Sequence, residues 1–199
     1  MKRRSGACER NREPILAVLH EEFPTSGTAL EISAGTGMHT AWFAPRLPQL
    51  SWLPTDISDE ALESIEAWRQ EVLAGAPLLQ APRRLDTRDP DWGLEEANAV
   101  LCCNMIHISP WASAVGLFAG VGRILSQGGV FCLYGPFRFA DAVFAESNEA
   151  FDRSLRRRDP TWGIRDAEDL EALAELNGLV LGRAAPMPAN NHLLVFRRR

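Results

Sequence analysis

The chain has 199 residues, 46% of them hydrophobic and 24% charged, with a formal net charge of −5. That length reads as one domain over residues 1–199, and it buries roughly 70% of the unfolded surface, so no disulfide or metal is needed to hold a core. The acidic balance argues against a nucleic-acid partner, because phosphate binding wants a concentrated basic face.

The four cysteines, Cys8, Cys102, Cys103 and Cys132, form no C-x-x-C pair, and three lie in apolar runs. They read as buried, reduced thiols of a cytoplasmic protein. Met1 to Arg12 is polar and charged and lacks the apolar core of a signal peptide. No run reaches the ~20 apolar residues of a membrane span, so no membrane partner is expected.

In chain order, residues 1–14 read as an N-terminal segment able to fold over a site. Thr28 to Ser33 reads as a first strand, ended by Gly35. His39 to Leu47 reads as a helix stopped before Pro48, and Leu50 to Thr55 as a second strand. Ser58 caps a helix to about Leu73, with Leu62, Ile65 and Trp68 on one face and Gly75 at its end. Arg83 to Asp86 is a third strand. Ala97 to Cys103 reads as an apolar run, broken only by Asn98, as a central parallel strand covered on both faces should be. Trp111 to Leu125 is helical, closed by Gly128 and Gly129, and Val130 to Tyr134 is a fifth strand. Gly135 to Ser147 is the least regular stretch and a candidate lid or substrate loop. Asn148 to Arg158 and Asp166 to Leu176 read as helices. Leu179 to Arg183 and His192 to Phe196 are expected to pair as an antiparallel hairpin around a wide loop. Strands alternating with helices predict an α/β protein with a mostly parallel sheet, right-handed crossovers and helices on both faces.

The sharpest chemical signal is Glu31-Ile32-Ser33-Ala34-Gly35-Thr36-Gly37, between a strand and a helix. Glycines there admit a ligand to the backbone. Asp56 closes the second strand, 25 residues after Glu31, and Asp86 closes the third, 30 residues further. Ligands of open parallel sheets bind at the carboxyl ends of the strands, so these acids and the glycine loop are expected to face one crevice. A nicotinamide dinucleotide competes for this reading, but Thr40 stands where G-x-G-x-x-G wants its third glycine. Glu31 also disfavours a pyrophosphate. S-Adenosylmethionine is cationic at its ammonium and sulfonium, and carboxylates suit it. Asp56 suits a ribose diol, and Asp86 an adenine amino group.

Several segments are more particular: Glu9-Arg10-Asn11-Arg12-Glu13-Pro14-Ile15-Leu16, Asn104-Met105-Ile106-His107-Ile108-Ser109-Pro110-Trp111, Tyr134-Gly135-Pro136-Phe137 and Met187-Pro188-Ala189-Asn190-Asn191. With the strand-end pattern of class I methyltransferases, they resemble the methyltransferase-like 26 family, also known as domain of unknown function 938, over nearly the whole chain. The resemblance implies a Rossmann-like, seven-stranded class I methyltransferase sheet, mostly parallel with an antiparallel C-terminal hairpin. It also implies an S-adenosyl-L-methionine site, and it implies no particular acceptor. By position, the cofactor set is Glu31, Ser33, Ala34, Gly35, Gly37, Asp56, Ile57, Asp86, Thr87, Asn104 and Met105, with Arg12.

Other residues carry two readings each. Asn104 either contacts an acceptor or serves as a turn asparagine. His107 either takes a proton from an acceptor or packs in the core. Tyr134 and Phe137 either line an acceptor pocket or are core. Arg10 and Arg12, placed before the first helix, either pair the cofactor carboxylate or lie in a solvated tail. Arg156-Arg157-Arg158 is a solvated helix face or an anionic-acceptor patch. No convincing metal or covalent-nucleophile set is present. The functional expectation is a methyltransferase with a small-molecule acceptor. A non-catalytic cofactor-binding or scaffold protein and, behind it, a dehydrogenase are the alternatives.

Overall fold

The structure, a computed structural model, describes residues 1–199. Helix α1 (Gly6–Glu22) leads into strand β1 (Gly27–Ile32), α2 (Met38–Phe43), β2 (Leu50–Asp56), α3 (Asp59–Val72) and β3 (Arg83–Arg84). Then follow β4 (Ala97–Cys103), α4 (Trp111–Ile124), β5 (Leu125–Gly135), β6 (Phe137–Arg138), α5 (Glu146–Arg158) and β7 (Arg165–Asp166). The chain ends with α6 (Ala167–Leu176), β8 (Leu179–Met187) and β9 (Asn191–Arg198). Short 3₁₀ turns cover Ala44–Arg46, Leu73–Gly75 and Met105–His107. No helix is long and apolar enough to cross a membrane.

Seven strands form one sheet in the order β3-β2-β1-β4-β5-β9-β8. The first five are parallel, and β9 joins β5 antiparallel. The order reverses between β1 and β4, which puts the crevice of an open α/β sheet at their carboxyl ends.

Alternation along the strands builds two cores. Leu30 and Ile32 of β1, Val100 and Cys102 of β4, Phe131 and Leu133 of β5 and Phe196 of β9 face α4 and α6. Ala29, Leu101, Cys132 and Val195 face the other way, toward Ile15, Leu19 and Phe43. The apolar run of β4 from Ala99 to Cys103 follows from this, because both its faces are covered.

Four local readings need correction. The polar N-terminal segment is helix, not tail: Ser5 caps α1, its Oγ accepting the Cys8 N–H at 3.4 Å. Its apolar face begins only at Ile15, so periodicity could not reveal the first two turns. The third strand is two residues long, and Asp86 lies beyond it in a turn. The fifth strand starts at Leu125, directly after α4, and passes through an irregularity before Val130. The C-terminal hairpin is long and tight, with Met187 opposite Asn191. A register shift at Leu181/Arg183 hid its length, and Ala189 and Asn190 turn in left-handed backbone.

Gly37 opens α2 at φ 82°, and a Cβ there would sit 2.7 Å from the Ile65 Cα in α3. Backbone meets backbone, so neither side yields. Gly37→Ala should therefore cost about 2 kcal/mol or more, combining left-handed strain with the clash. For a chain of this size that is roughly 4–8 °C of melting temperature. An unchanged melting curve would show that α3 yields freely.

Candidate functional site

Two chambers open at the carboxyl edge of the sheet. The smaller, about 330 Å³, lies across the ends of β1, β2, β3 and β4. Its walls are Ile32 of β1 and Ser33 after it, Ile57 after β2, Leu85 to Arg88 after β3, Met105 after β4, and Ser109, Pro110, Ser113 and Trp162. The larger, about 730 Å³, lies across the ends of β4 and β5. It takes Asn104 after β4, Tyr134 of β5 and Pro136 after it, Ser5, Ala7, Arg10 and Asn11 at the start of α1, Phe151 and Arg158 from α5, and Pro188, Ala189 and Asn191 from the hairpin. Ile108 lines both chambers and is 45% exposed.

The divider is a backbone turn. Asn104 adopts φ 62°, and its N–H donates to the Tyr134 carbonyl at 2.8 Å. Arg165 pins the turn from outside, donating from Nε to the Ile106 carbonyl at 3.0 Å and from NH2 to the Ser109 carbonyl at 2.7 Å. The Gly163 N–H holds the His107 carbonyl at 3.0 Å. Four non-glycine residues have left-handed backbone: Ser33, Asn104, Ala189 and Asn190. Ser33 lines the smaller chamber, Asn104 and Ala189 line the larger, and Asn190 adjoins them. Strain of this kind concentrates at functional sites.

The glycine loop is fixed by Asp56. Its Oδ2 accepts the Gly35 N–H at 2.9 Å and its Oδ1 the Ser58 N–H at 3.0 Å. Asp56 is buried and outside both linings, so its first task is to hold the loop. The Ala34 N–H adds a bond to the Thr55 carbonyl at 2.8 Å. A Cβ on Gly35 would meet only the Ser33 carbonyl, at 3.9 Å, so the backbone there borders open space. Gly37 instead abuts α3. With six residues, α2 is too short for a helix-terminus anion site, so the loop's openness and not a dipole is what it offers.

Glu31 does not face the crevice. It is 1% exposed and accepts a hydrogen bond from the Thr40 hydroxyl. Burial raises its pKa from the ordinary 4.5 to about 8, with the Asp56 charge adding to the rise. A neutral Glu31 repels no pyrophosphate, so its presence no longer bears on the dinucleotide alternative.

His107 is also turned inward. Its ring is 0% exposed, lies 5.3 Å from the Phe137 ring, and lines neither chamber. Neither ring nitrogen has a hydrogen-bond partner. Burial lowers its pKa to about 3. A base must reach the proton that it takes, and this ring does not reach the cavity. Phe137 is core with it.

Arg12 is likewise displaced. Its guanidinium lies 3.6 Å from the Trp42 ring centroid, with that of Arg46 at 3.4 Å, and it lines neither chamber. Its neighbour Asn11 faces inward, and its Oδ1 pairs with the His39 ring at 2.8 Å. Tyr134 lies beside Asn11, and burial raises the phenol's pKa.

Asp86 keeps its expected place on the smaller chamber. Arg88 forks onto it, Nε reaching Oδ1 at 3.0 Å and Oδ2 at 3.1 Å, and that bond lowers its pKa. Thr87 anchors the same turn through a 3.0 Å bond to the Ser113 carbonyl. Sequence reasoning missed Arg165, Arg88 and the dividing role of Ile108. Ile108 lay inside a quoted motif, but its exposure is a property of the turn alone.

The strand order, the glycine loop and the paired chambers define a class I methyltransferase fold. The mitomycin 7-O-methyltransferase MmcR superposes with a TM-score of 0.77 at 18% identity, covering 97% of this chain and 54% of that one. An O-methyltransferase family 2 protein from Planctomyces limnophilus, in complex with apigenin, gives 0.75 at 16%, covering 94% and 62%. CalO1, a methyltransferase of calicheamicin biosynthesis in its S-adenosylhomocysteine-bound form, gives 0.64 at 17%, covering 94% and 55%. The chain thus spans little more than half the length of these enzymes, and at such identity they share the fold. Residues 2–198 match the family described as Protein of unknown function (DUF938), and the chain belongs to it.

Glu31 gives a pH signature. A carboxyl whose pKa is raised on folding supports the fold below its unfolded value and loses that support as pH rises through the folded one. The window runs from 4.5 to about 8. His39 and His107, lowered by burial to about 4 and about 3, change stability only below their ordinary 6.5. Between pH 6.5 and 8 the wild type should lose melting temperature, and Glu31→Gln should flatten that loss. Parallel curves for the two proteins would place the Glu31 charge elsewhere.

Proposed function

We propose that this chain is an S-adenosylmethionine-dependent methyltransferase acting on a small molecule. The observation that carries the reading is the pair of chambers meeting at Ile108. A two-substrate displacement needs donor and acceptor held in line with water limited between them.

The smaller chamber fits the adenosine half of the cofactor. Ile57, Leu85 and Met105 supply an apolar slot, and Asp86 supplies an acceptor for an amino group. Ser33 and the open backbone at Gly35 supply the close approach that the sugar and methionine need. Asp56, Ala34 and Gly37 keep the loop in shape, and Asp56 retains lone pairs for a ribose hydroxyl. Thr87 fixes the turn beside the base. Glu31 and Arg12 are not part of this contact set.

S-Adenosylmethionine supplies a methyl group on a sulfonium; the C–S bond breaks as the acceptor's oxygen or nitrogen bonds to that carbon. The chain's own part is positioning. Asn104 ends the central strand inside the larger chamber and offers an amide to the acceptor atom. Tyr134, kept protonated by burial, offers a hydroxyl donor and not a base. Without His107, no lining side chain titrates near neutral pH. The acceptor's proton therefore leaves to water or has left before transfer, which favours acidic hydroxyls. A cytoplasmic setting and the narrower kinship with the methyltransferase-like 26 proteins belong to the same reading. The rival reading, a cofactor-binding protein without turnover, shares the smaller chamber and differs only in chemistry.

Calorimetry with S-adenosylhomocysteine should give micromolar affinity, roughly −8 kcal/mol, and NAD should give no heat. Gly35→Asn tests the loop, because asparagine tolerates left-handed backbone and projects a side chain into the open space. It should weaken binding at least tenfold with the fold intact. Silence at millimolar S-adenosylhomocysteine would end the proposal. Methyl transfer to components of a cell extract then separates an enzyme from a binding protein.

A further inference from the structure

We infer that the larger chamber binds an organic anion, so that the acceptor carries a carboxylate or phosphate on an apolar body. The inference rests on the two-chamber reading and deepens it. Two charged side chains line this chamber, Arg10 from α1 and Arg158 from α5, and both are cations. The chain as a whole carries −5, so the local sign runs against the global one.

Nearby acids are committed elsewhere. Glu9 lies 3.7 Å from Arg4. Asp159 accepts from the Thr161 N–H at 2.8 Å and its hydroxyl at 2.6 Å. Asp152 takes Arg156 at 2.8 Å and the Ile164 N–H at 2.7 Å. Arg10 and Arg158 form no ion pair and donate no side-chain hydrogen bond within the protein. Arg88, Arg156 and Arg165, close by, each do both or at least donate. Arg158 rests 5.0 Å from the Trp162 ring, which walls the smaller chamber.

Two of the chamber's four asparagine amides are already engaged, and none of the four carries charge. Asn148 Nδ2 donates to the Asn190 carbonyl at 2.9 Å, and Asn191 Nδ2 to the Pro188 carbonyl at 3.0 Å. Two guanidiniums are therefore the uncommitted charged donors, and a planar fork matches a carboxylate or phosphate. Apolar side chains share the wall with these polar groups. Ile108 and Phe151, 45% and 42% exposed, are among the chain's largest exposed hydrophobics, and both face this space. Cations beside an apolar shelf suit an aromatic or aliphatic acid, held by its charge with its hydroxyl or amine turned toward Asn104.

Three probes test this by ligand-observed NMR, on the free protein and on protein loaded with S-adenosylhomocysteine: benzoate, phenyl phosphate and neutral benzamide. Benzoate or phenyl phosphate should bind the loaded protein at least tenfold tighter than benzamide, and the tighter of the two identifies the group. Arg10→Gln and Arg158→Gln should each weaken that anion at least fivefold while S-adenosylhomocysteine affinity stays within twofold. Equal binding of benzamide would overturn the inference. So would variants that weaken S-adenosylhomocysteine instead, because the arginines would then serve the cofactor carboxylate. If S-adenosylhomocysteine binds and neither anion does, the inference falls and the methyltransferase reading stands. If an anion binds and S-adenosylhomocysteine does not, the reverse holds.

Discussion

The turn from Asn104 to Ser109 divides the crevice, and the site depends on its being rigid. The left-handed Asn104 is an unfavourable start, offset by bonds that converge on the turn from three directions. β5 holds it through the Tyr134 carbonyl, its own 3₁₀ bonds close it, and Arg165 clamps two of its carbonyls from outside. Hydrogen bonds from a charged donor are worth about 1.5–3 kcal/mol each, so the two from Arg165 together offset the roughly 1–3 kcal/mol of strain at one residue. With the turn fixed, Ile108 is held out between two spaces and His107 is driven into the core. One local conformation thus creates the partition and removes the histidine from it.

The other side of the crevice rests on buried polar pairs. Asp56 ties two backbone amides, Glu31 receives Thr40, and Asn11 joins α1 to His39 of α2. Each pair lies where the glycine loop meets its supports, so the loop is shaped before any ligand arrives. Preorganisation of this kind lowers the ordering cost of binding. In the proposed reaction it leaves the protein little to do beyond alignment, which is what a displacement from a sulfonium requires.

Much of this was legible in the sequence. The apolar β4 fixed the sheet centre, and the order of strands and helices predicted the parallel sheet. The glycine loop, Asp86, Thr87, Ile57 and Met105 could be placed because strand-end position is a backbone property that spacing reports. Side-chain direction is different. Glu31 and His107 sit in the right segments and point the wrong way, because burial depends on what packs against them: Thr40 for one, Phe137 and Gly135 for the other. Arg12 was lost to a stacking partner, Trp42, thirty residues away, which no local pattern signals. The first turns of α1 were hidden by their polarity, and with them the fact that Arg10 and Asn11 wall a chamber.

The central claim is a division of labour across Ile108, and a crystal structure with bound S-adenosylhomocysteine tests it most directly. The account predicts the adenine in the smaller chamber, between Ile57 and Met105 and beside Asp86, with the sulfur directed toward Asn104 and the larger chamber open beyond it. An adenine lodged in the larger chamber, among Tyr134, Phe151 and the hairpin loop, would contradict the account.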